Sequence, residues 1–189
     1  MIIGISGYAR SGKDTFAKCL QKLLTHYNKK SNVYAFAHIL KKDIDAFLLK
    51  KFNISAFTEK EDEKKLIRPM LVAYGQARRI QDEDYWIKQL NLKNCKNNLT
   101  IITDVRYLNE AKWIIDSGGY LLNLKRISEN GNIIQPANQE EQKTIPEVEK
   151  ISNATLTWGT IKDEKLLIQT IESFIFSCET FNERILNGN

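Results

Sequence analysis

The chain has 189 residues, 28 Lys and Arg against 23 Asp and Glu for a formal net charge of +5, with 42% hydrophobic and 27% charged residues. That length suits one compact domain, able to bury a sheet-and-helix core without disulfides or metals, and the composition excludes collagen-like and disordered classes. A charge this mildly basic fits nucleotides, nucleic acid or plain solubility equally well.

No apolar run approaches the roughly 20 residues of a membrane helix, and the N-terminus carries no basic region followed by an apolar signal segment. The expectation is a cytoplasmic protein without membrane partners. Cys19, Cys95 and Cys178 are odd in number, far apart and without a CxxC pair, so they read as reduced and structural. His26 and His38 have no partner signature and read as structural, with His38 open as a pocket wall.

Taken in order, IIGIS at 2–6 is a short apolar run of the kind buried on both faces of a sheet. From Lys13 to about Tyr27 the apolar residues Phe16, Ala17, Leu20, Leu23 and Leu24 recur at helical spacing. VYAFA at 33–37 predicts a second strand and HILKKDIDAFLLKKF, from His38, a second helix. The stretch from Asn53 to Lys93 predicts helices only, with a capping box over Thr58–Glu61, Pro69 in a first helical turn and Asp82 as N-cap of a helix carrying Trp86. LTIITD at 99–104 predicts a strand ending in an acid, followed by a helix closed at Gly118 and Gly119. YLLNL at 120–124 is a fourth strand. Residues 126–153 turn polar without periodicity, the signature of a lid or a long loop. ATLTW, 154–158, is a fifth strand, and Asp163 to about Phe181 a covering helix. The alternation of strand and helix is that of an α/β fold.

The stretch GYARSGKDT at 7–15 has the spacing GxxxxGK of a phosphate-binding loop, but Asp14 stands where a hydroxyl residue is usual. The pattern carries weight because a strand precedes it and a helix follows. Gly7 and Gly12 allow close backbone approach, so that successive N–H groups from Ala9 through Arg10 and Ser11 can point at phosphate oxygens, aided by the helix N-terminus. Lys13 would bridge the β- and γ-phosphates, and Thr15 would offer a hydroxyl to the α- or β-phosphate. The plainer alternative, a glycine turn with an idle lysine, leaves Lys13 unexplained. Asp104, at the carboxyl end of a strand, lies at the edge where open α/β sheets bind ligands, although it could equally cap the next helix.

The segments SGYARSGKDT, AFAHILK, RPMLVAYGQARR with DYWIKQL, and ITDVRYLNEA resemble the deoxynucleoside monophosphate kinases of phages, a branch of the P-loop kinases related to adenylate kinase. The resemblance covers residues 2 to about 125, and GKDT is a common form of the loop in that family. It implies a three-layer α/β/α P-loop kinase domain over 1–189 with a five-stranded parallel sheet, a helical acceptor-binding insert at 38–93 and a lid at 126–153. The implied reaction is phosphoryl transfer from ATP to a deoxynucleoside monophosphate with Mg2+. Lys13, Arg10 and Arg126 are the implied catalytic cations, Asp14 and Asp104 the magnesium ligands, Asp14 through water. Ala37, His38, Lys41, Arg68, Gly75, Gln76, Trp86, Asp104, Arg106 and Glu110 are the implied acceptor side.

In the lid the chain departs from those kinases, reading PANQEEQ where many carry a histidine followed by SE. The implied partners are small molecules, with no nucleic acid, a homodimer left open, and the host cytoplasm as the address of a viral chain. The alternative within the fold is a kinase for dephospho-coenzyme A or phosphomevalonate. A GTPase-like switch should carry an NKxD motif, which the sequence lacks, and a nucleic-acid module using ATP as effector should respond to DNA.

Overall fold

The computed structural model describes residues 1–90 and 98–185; Cys95 and residues 91–93 of the expected insert lie outside them. The chain divides into two compact units, Met1–Tyr34 with Lys93–Asn189, and Ala35–Leu92.

In the first unit β1 (Ile2–Ser6), β2 (Ser31–Tyr34), β3 (Leu99–Val105), β4 (Tyr120–Arg126) and β5 (Ala154–Trp158) form one sheet in the order β2-β3-β1-β4-β5. Every pairing is parallel. Such a sheet needs cover on both faces, and the alternation along β1 supplies it. Ile3 and Ile5 join the core formed with α1 (Lys13–His26) and α7 (Glu164–Ser177), through Phe16, Leu20, Leu24, Leu167, Ile171 and Ile175. Gly4 faces the other way, where a Cβ would press on Ile114 and Val105. Ile114 belongs to α5 (Leu108–Asp116), which with α6 (Gln139–Ile151) packs against β1 and β4. The three-layer α/β/α arrangement of a P-loop kinase follows. A short α8 (Glu179–Ile185) closes the described chain, with Phe181 edge-on to Tyr120.

The connection after β1 leads to α1 on one face, whereas that after the adjacent β3 leads to α5 on the other. Where neighbouring strands send their connections to opposite faces, a crevice opens at their carboxyl ends. The GxxxxGK loop and Asp104 lie at that edge.

The second unit is helical: α2 (Phe36–Phe52), α3 (Glu61–Gln81) and α4 (Tyr85–Gln89). Ile44, Leu48, Ala56 and Ile67 form its core, with Met70 and Tyr74 packed against it.

Six expectations are corrected. The second strand ends at Tyr34, paired with Ile102, and Phe36 already begins α2, so VYAFA straddles two elements. Periodicity cannot mark a boundary inside an unbroken apolar run. Pro69 sits inside α3, nine residues in; it and Lys65, whose carbonyl it cannot serve, are both exposed, which leaves that carbonyl to solvent. Thr58 is not the N-cap: α3 starts after Lys60, whose amide donates to the Thr58 hydroxyl at 3.3 Å, and that hydroxyl in turn bonds Glu63. The N-cap of α4 is Asp84, while Asp82 accepts from the Asp84 amide and pairs with Lys88. Finally, half of the polar segment 126–153 is the helix α6, capped by Asn138, whose oxygen accepts from the Glu141 amide. Its buried stripe is Glu141, Ile145 and Val148, and the acid at the head of that stripe hides it from a hydropathy reading. The tail helix also breaks, at Cys178, into α7 and α8.

Leu20 is fully buried whereas Leu166, on α7, is 53% exposed. Leu20→Ala should therefore destabilise the fold by about 2–5 kcal/mol, and Leu166→Ala by less than about 0.5 kcal/mol, as read from urea unfolding midpoints.

Candidate active site

The loop after β1 is shaped by backbone constraints before any side chain acts. Gly12 stands at φ 91 ahead of α1 and provides no side-chain cap. A Cβ there would come within 2.6 Å of the Trp158 ring. Trp158, at the end of β5 and only 6% exposed, lies beneath the loop and donates its indole N–H to the Ser11 carbonyl at 2.9 Å. The Ser11 amide closes a turn onto the Tyr8 carbonyl at 3.1 Å. Arg10, a non-glycine residue at φ 65, takes the exposed tip. A left-handed arginine is a strained conformation of the kind that persists at functional sites because its surroundings impose it. Ser11 is buried, its amide spent on the Tyr8 carbonyl and its carbonyl on Trp158, and the Ala9 amide donates to Glu141 Oε2 at 3.1 Å, so two of the three loop amides expected to face phosphate are bonded within the protein. Asp14 and Thr15 are exposed on the first turn of α1.

Lys13 folds back over the loop, donating to the carbonyls of Gly7 at 2.8 Å and Tyr8 at 2.7 Å. Across the crevice β3 carries an irregularity: Gly4 pairs with Ile102 but Ser6 with Val105, so β3 has an extra residue near Asp104. Such bulges re-aim side chains beside sites. Arg106 follows, and its guanidinium donates to Glu141 Oε1 at 2.7 Å. Glu110 is buried, and its carboxylate accepts from the amides of Arg106 at 2.9 Å and Tyr107 at 3.2 Å, which fixes the turn into α5. Arg126 ends β4 and donates to the Thr160 hydroxyl at 2.8 Å.

The structure thus brings Lys13, Asp14, Asp104 and Arg106 into one neighbourhood in the first unit. Two residues there escaped the sequence reading. Glu141 was concealed in a polar run, although Asn138 and Glu141 have the spacing of a capping box. Trp158 ends a strand and offered no signal beyond being apolar.

The remaining expected acceptor residues all lie in the second unit. His38 packs its ring on Phe57 at 5.1 Å between centroids, and the Lys41 ammonium stands 5.8 Å from the same ring. Ala37, Arg68 and Gln76 are exposed. Gly75 is a close-packing position, where a Cβ would meet Leu40 at 2.7 Å. Trp86 is 1% exposed and donates to the Gly75 carbonyl at 3.3 Å, which makes it core. Arg78 is absorbed by structure, its guanidinium stacked over Tyr74 and Tyr85.

The parallel sheet covered on both faces, with the GxxxxGK loop between its central strand and α1, defines a P-loop kinase, a phosphotransferase acting from ATP on a small substrate. The family model for phosphomevalonate kinase matches residues 5–119, and the chain belongs to that family. No curated protein matches the chain. Similar solved structures include shikimate kinase from Acinetobacter baumannii in complex with shikimate, at 14% identity over 93% of each chain with a TM-score of 0.45. Shikimate kinase from Bacteroides thetaiotaomicron is 12% identical over 95% of this chain and 98% of that one, TM-score 0.45. APS kinase from Mycobacterium tuberculosis is 12% identical over 93% and 96%, TM-score 0.38. Likeness at that level says nothing about the acceptor.

Lys13 is lowered from 10.5 to about 8, by burial first and then by the nearby Arg106 guanidinium; the carboxylates of Glu141, Asp14 and Asp104 oppose the shift. Between those two values the unfolded chain holds a proton at this lysine that the folded chain has released, so the stability of the ligand-free protein should rise with pH across that window. Lys13→Met should flatten that part of the profile. Phosphate binding needs the charged ammonium, so the affinity for ATP should fall about tenfold from pH 7 to pH 9 in calorimetric titrations, with no such fall in Lys13→Met.

Proposed function

We propose that this chain transfers the γ-phosphoryl group of ATP to the phosphate of a small phosphorylated acceptor, with phosphomevalonate the first candidate and a deoxynucleoside monophosphate the second. The observation that carries this reading is the phosphomevalonate kinase match over residues 5–119, a span that includes the phosphate loop, the whole helical unit and Asp104 to Glu110. The position of Trp86 supports the order of candidates. An acceptor without a base needs no aromatic wall, and the Trp86 indole, implied for the acceptor side, is in the core of its unit. The deoxynucleoside monophosphate stays in view because ITDVRYLNEA and GKDT resemble those kinases.

In the reaction the bond from the γ-phosphorus to the bridging β-phosphate oxygen breaks, and an oxygen of the acceptor phosphate takes its place in line. ADP leaves with the bridging oxygen, and no phosphoenzyme forms. Both ends of this transfer are anionic, so fixed cations are the main requirement. Lys13 and the exposed Arg10 serve the transferred group. Arg106 meets phosphate from the β3 side, its planar fork suited to two oxygens at once, and Arg68 is the candidate cation of the helical unit. Arg126, anchored on Thr160, borders a cavity of about 510 Å³ lined by Ile127, Gly159, Thr160 and Lys162, a size fit for the nucleoside part of the donor. Ile127, Ser128 and Glu129, at the start of the expected lid 126–153, line the same cavity.

Magnesium fits the carboxylates present. Asp14 and Asp104 both stand near enough to Lys13 to raise its proton affinity. Both are hard oxygen donors, and among the described residues no group of three His, Cys, Asp or Glu forms a cage. One or two carboxylates completed by phosphate oxygens and water is the usual setting of this ion. When bound, it neutralises phosphate charge as transfer proceeds.

Turnover of MgATP should be measured with phosphomevalonate, dephospho-coenzyme A and each common deoxynucleoside monophosphate. We expect ADP formation well above ATP hydrolysis with phosphomevalonate. Stimulation by a deoxynucleoside monophosphate alone reverses the order of candidates, and a panel in which nothing exceeds hydrolysis overturns the reading. Asp14→Ala should raise the magnesium concentration for half-maximal turnover several-fold, consistent with the loss of one of two carboxylates; superimposable magnesium curves would remove Asp14 from the metal site.

A further inference from the structure

Glu141 has no part in the transfer just described, yet three donors meet its carboxylate beside the loop. It is 2% exposed. Its Oε2 accepts from the Ala9 amide at 3.1 Å and the Ala137 amide at 3.1 Å, and its Oε1 from Arg106 at 2.7 Å. The bond from Ala9 spans 132 positions of sequence and that from Arg106 spans 35, so one carboxylate joins three distant segments. The preceding acid repeats the connection, since the Tyr107 hydroxyl donates to Glu140. Two consecutive residues of the β3–α5 turn are therefore clasped by two consecutive acids of α6.

A carboxylate beside a phosphate site can act in two ways. As a competitor it would occupy the anion's place until nucleotide displaced it; as a holder it would set the cations before nucleotide arrives. The Ala9 contact fits either role, since that amide is one expected to face phosphate, but the contacts with the two cations favour the holder. Glu141 uses a single terminal nitrogen of Arg106 among five available N–H groups, and the arginine side chain stays 36% exposed. Lys13 donates to the Gly7 and Tyr8 carbonyls, so the carboxylate is not seated on the lysine that an anion would seek. The charges agree: Lys13 and Arg106 repel each other, and Glu141 is first among the carboxylates opposing that repulsion. Two cations can then stay charged side by side in a partly buried crevice. A buried carboxylate is costly unless its oxygens are bonded, and here three donors meet the two oxygens.

We propose that Glu141 is a positioning residue of this kinase, a buried carboxylate that holds the Arg106 guanidinium and the Ala9 end of the phosphate loop in their working geometry. The inference rests on the functional reading above, because it takes the loop to bind nucleotide. Glu141→Gln tests it cleanly. The amide keeps an oxygen for Ala9 and Ala137 but turns an N–H toward Arg106, whose guanidinium then loses its holder.

The test is a double-mutant cycle on MgATP affinity by calorimetry, with wild type, Glu141→Gln, Arg106→Ala and the double variant. Glu141→Gln should weaken MgATP about tenfold, the scale of the rotamer freedom an unheld arginine gives up on binding. In the Arg106→Ala background the same change should matter by no more than about twofold. A purely structural role predicts equal losses in both backgrounds and overturns the proposal. Binding as tight as wild type or tighter makes Glu141 a competitor and overturns it too. Should Glu141→Gln fail to fold by circular dichroism, Glu141→Asp, one methylene short of Arg106, runs through the same cycle with the same expected pattern. A wild-type chain that does not bind MgATP defeats the functional reading itself, whereas one that binds normally beside an indifferent Glu141→Gln defeats only this inference.

Discussion

The packing of Trp158 against Gly12 is the contact on which the rest of the site depends. The last residue of β5 puts an indole beneath the loop, donates to the Ser11 carbonyl, and leaves room above it for a glycine alone. With the turn so fixed, α1 begins without a side-chain cap, and its first-turn amides and the Lys13 ammonium share one edge of the sheet. Cβ-free approach, left-handed backbone and an uncapped helix start are each locally unfavourable. They persist together because the surrounding core of α1, α7 and the sheet over-determines them.

The opposite wall of the crevice is built on different principles. The turn from β3 into α5 has no glycine and is held by carboxylates: Glu110 on the amides of Arg106 and Tyr107, Glu141 on the Arg106 side chain. One wall presents backbone with the Lys13 ammonium folded over it, and the other presents the Arg106 guanidinium held by a carboxylate. That division suits a reaction in which the donor's phosphates are wrapped by main chain while a mobile terminal group is met by cations.

In the helical unit, the residues that looked most like an acceptor pocket separate into two groups. Gly75 and Trp86 are explained by packing, a glycine admitting Leu40 and an indole satisfied on a carbonyl. Lys41, His38 and Arg68 keep polar or ring surface toward their surroundings.

The phosphate loop was legible in the sequence because its chemistry is local: two glycines, a lysine, a strand before and a helix after all lie within fifteen residues. All five strands were legible as well, four of them nearly to their ends; the central three are mostly buried and so demand short apolar runs. VYAFA was misplaced for the same reason, since an unbroken run has no internal boundary. Helix α6 was missed because the buried stripe that defines it opens with a charged residue. What the tertiary structure alone decided is partnership at a distance: that Trp158 underlies Gly12, that Glu141 reaches Ala9 and Arg106, and that Trp86 turns inward. Such contacts obey no sequence period, because they are chosen by which segments the sheet order brings side by side and by whether a buried charge finds its donors there.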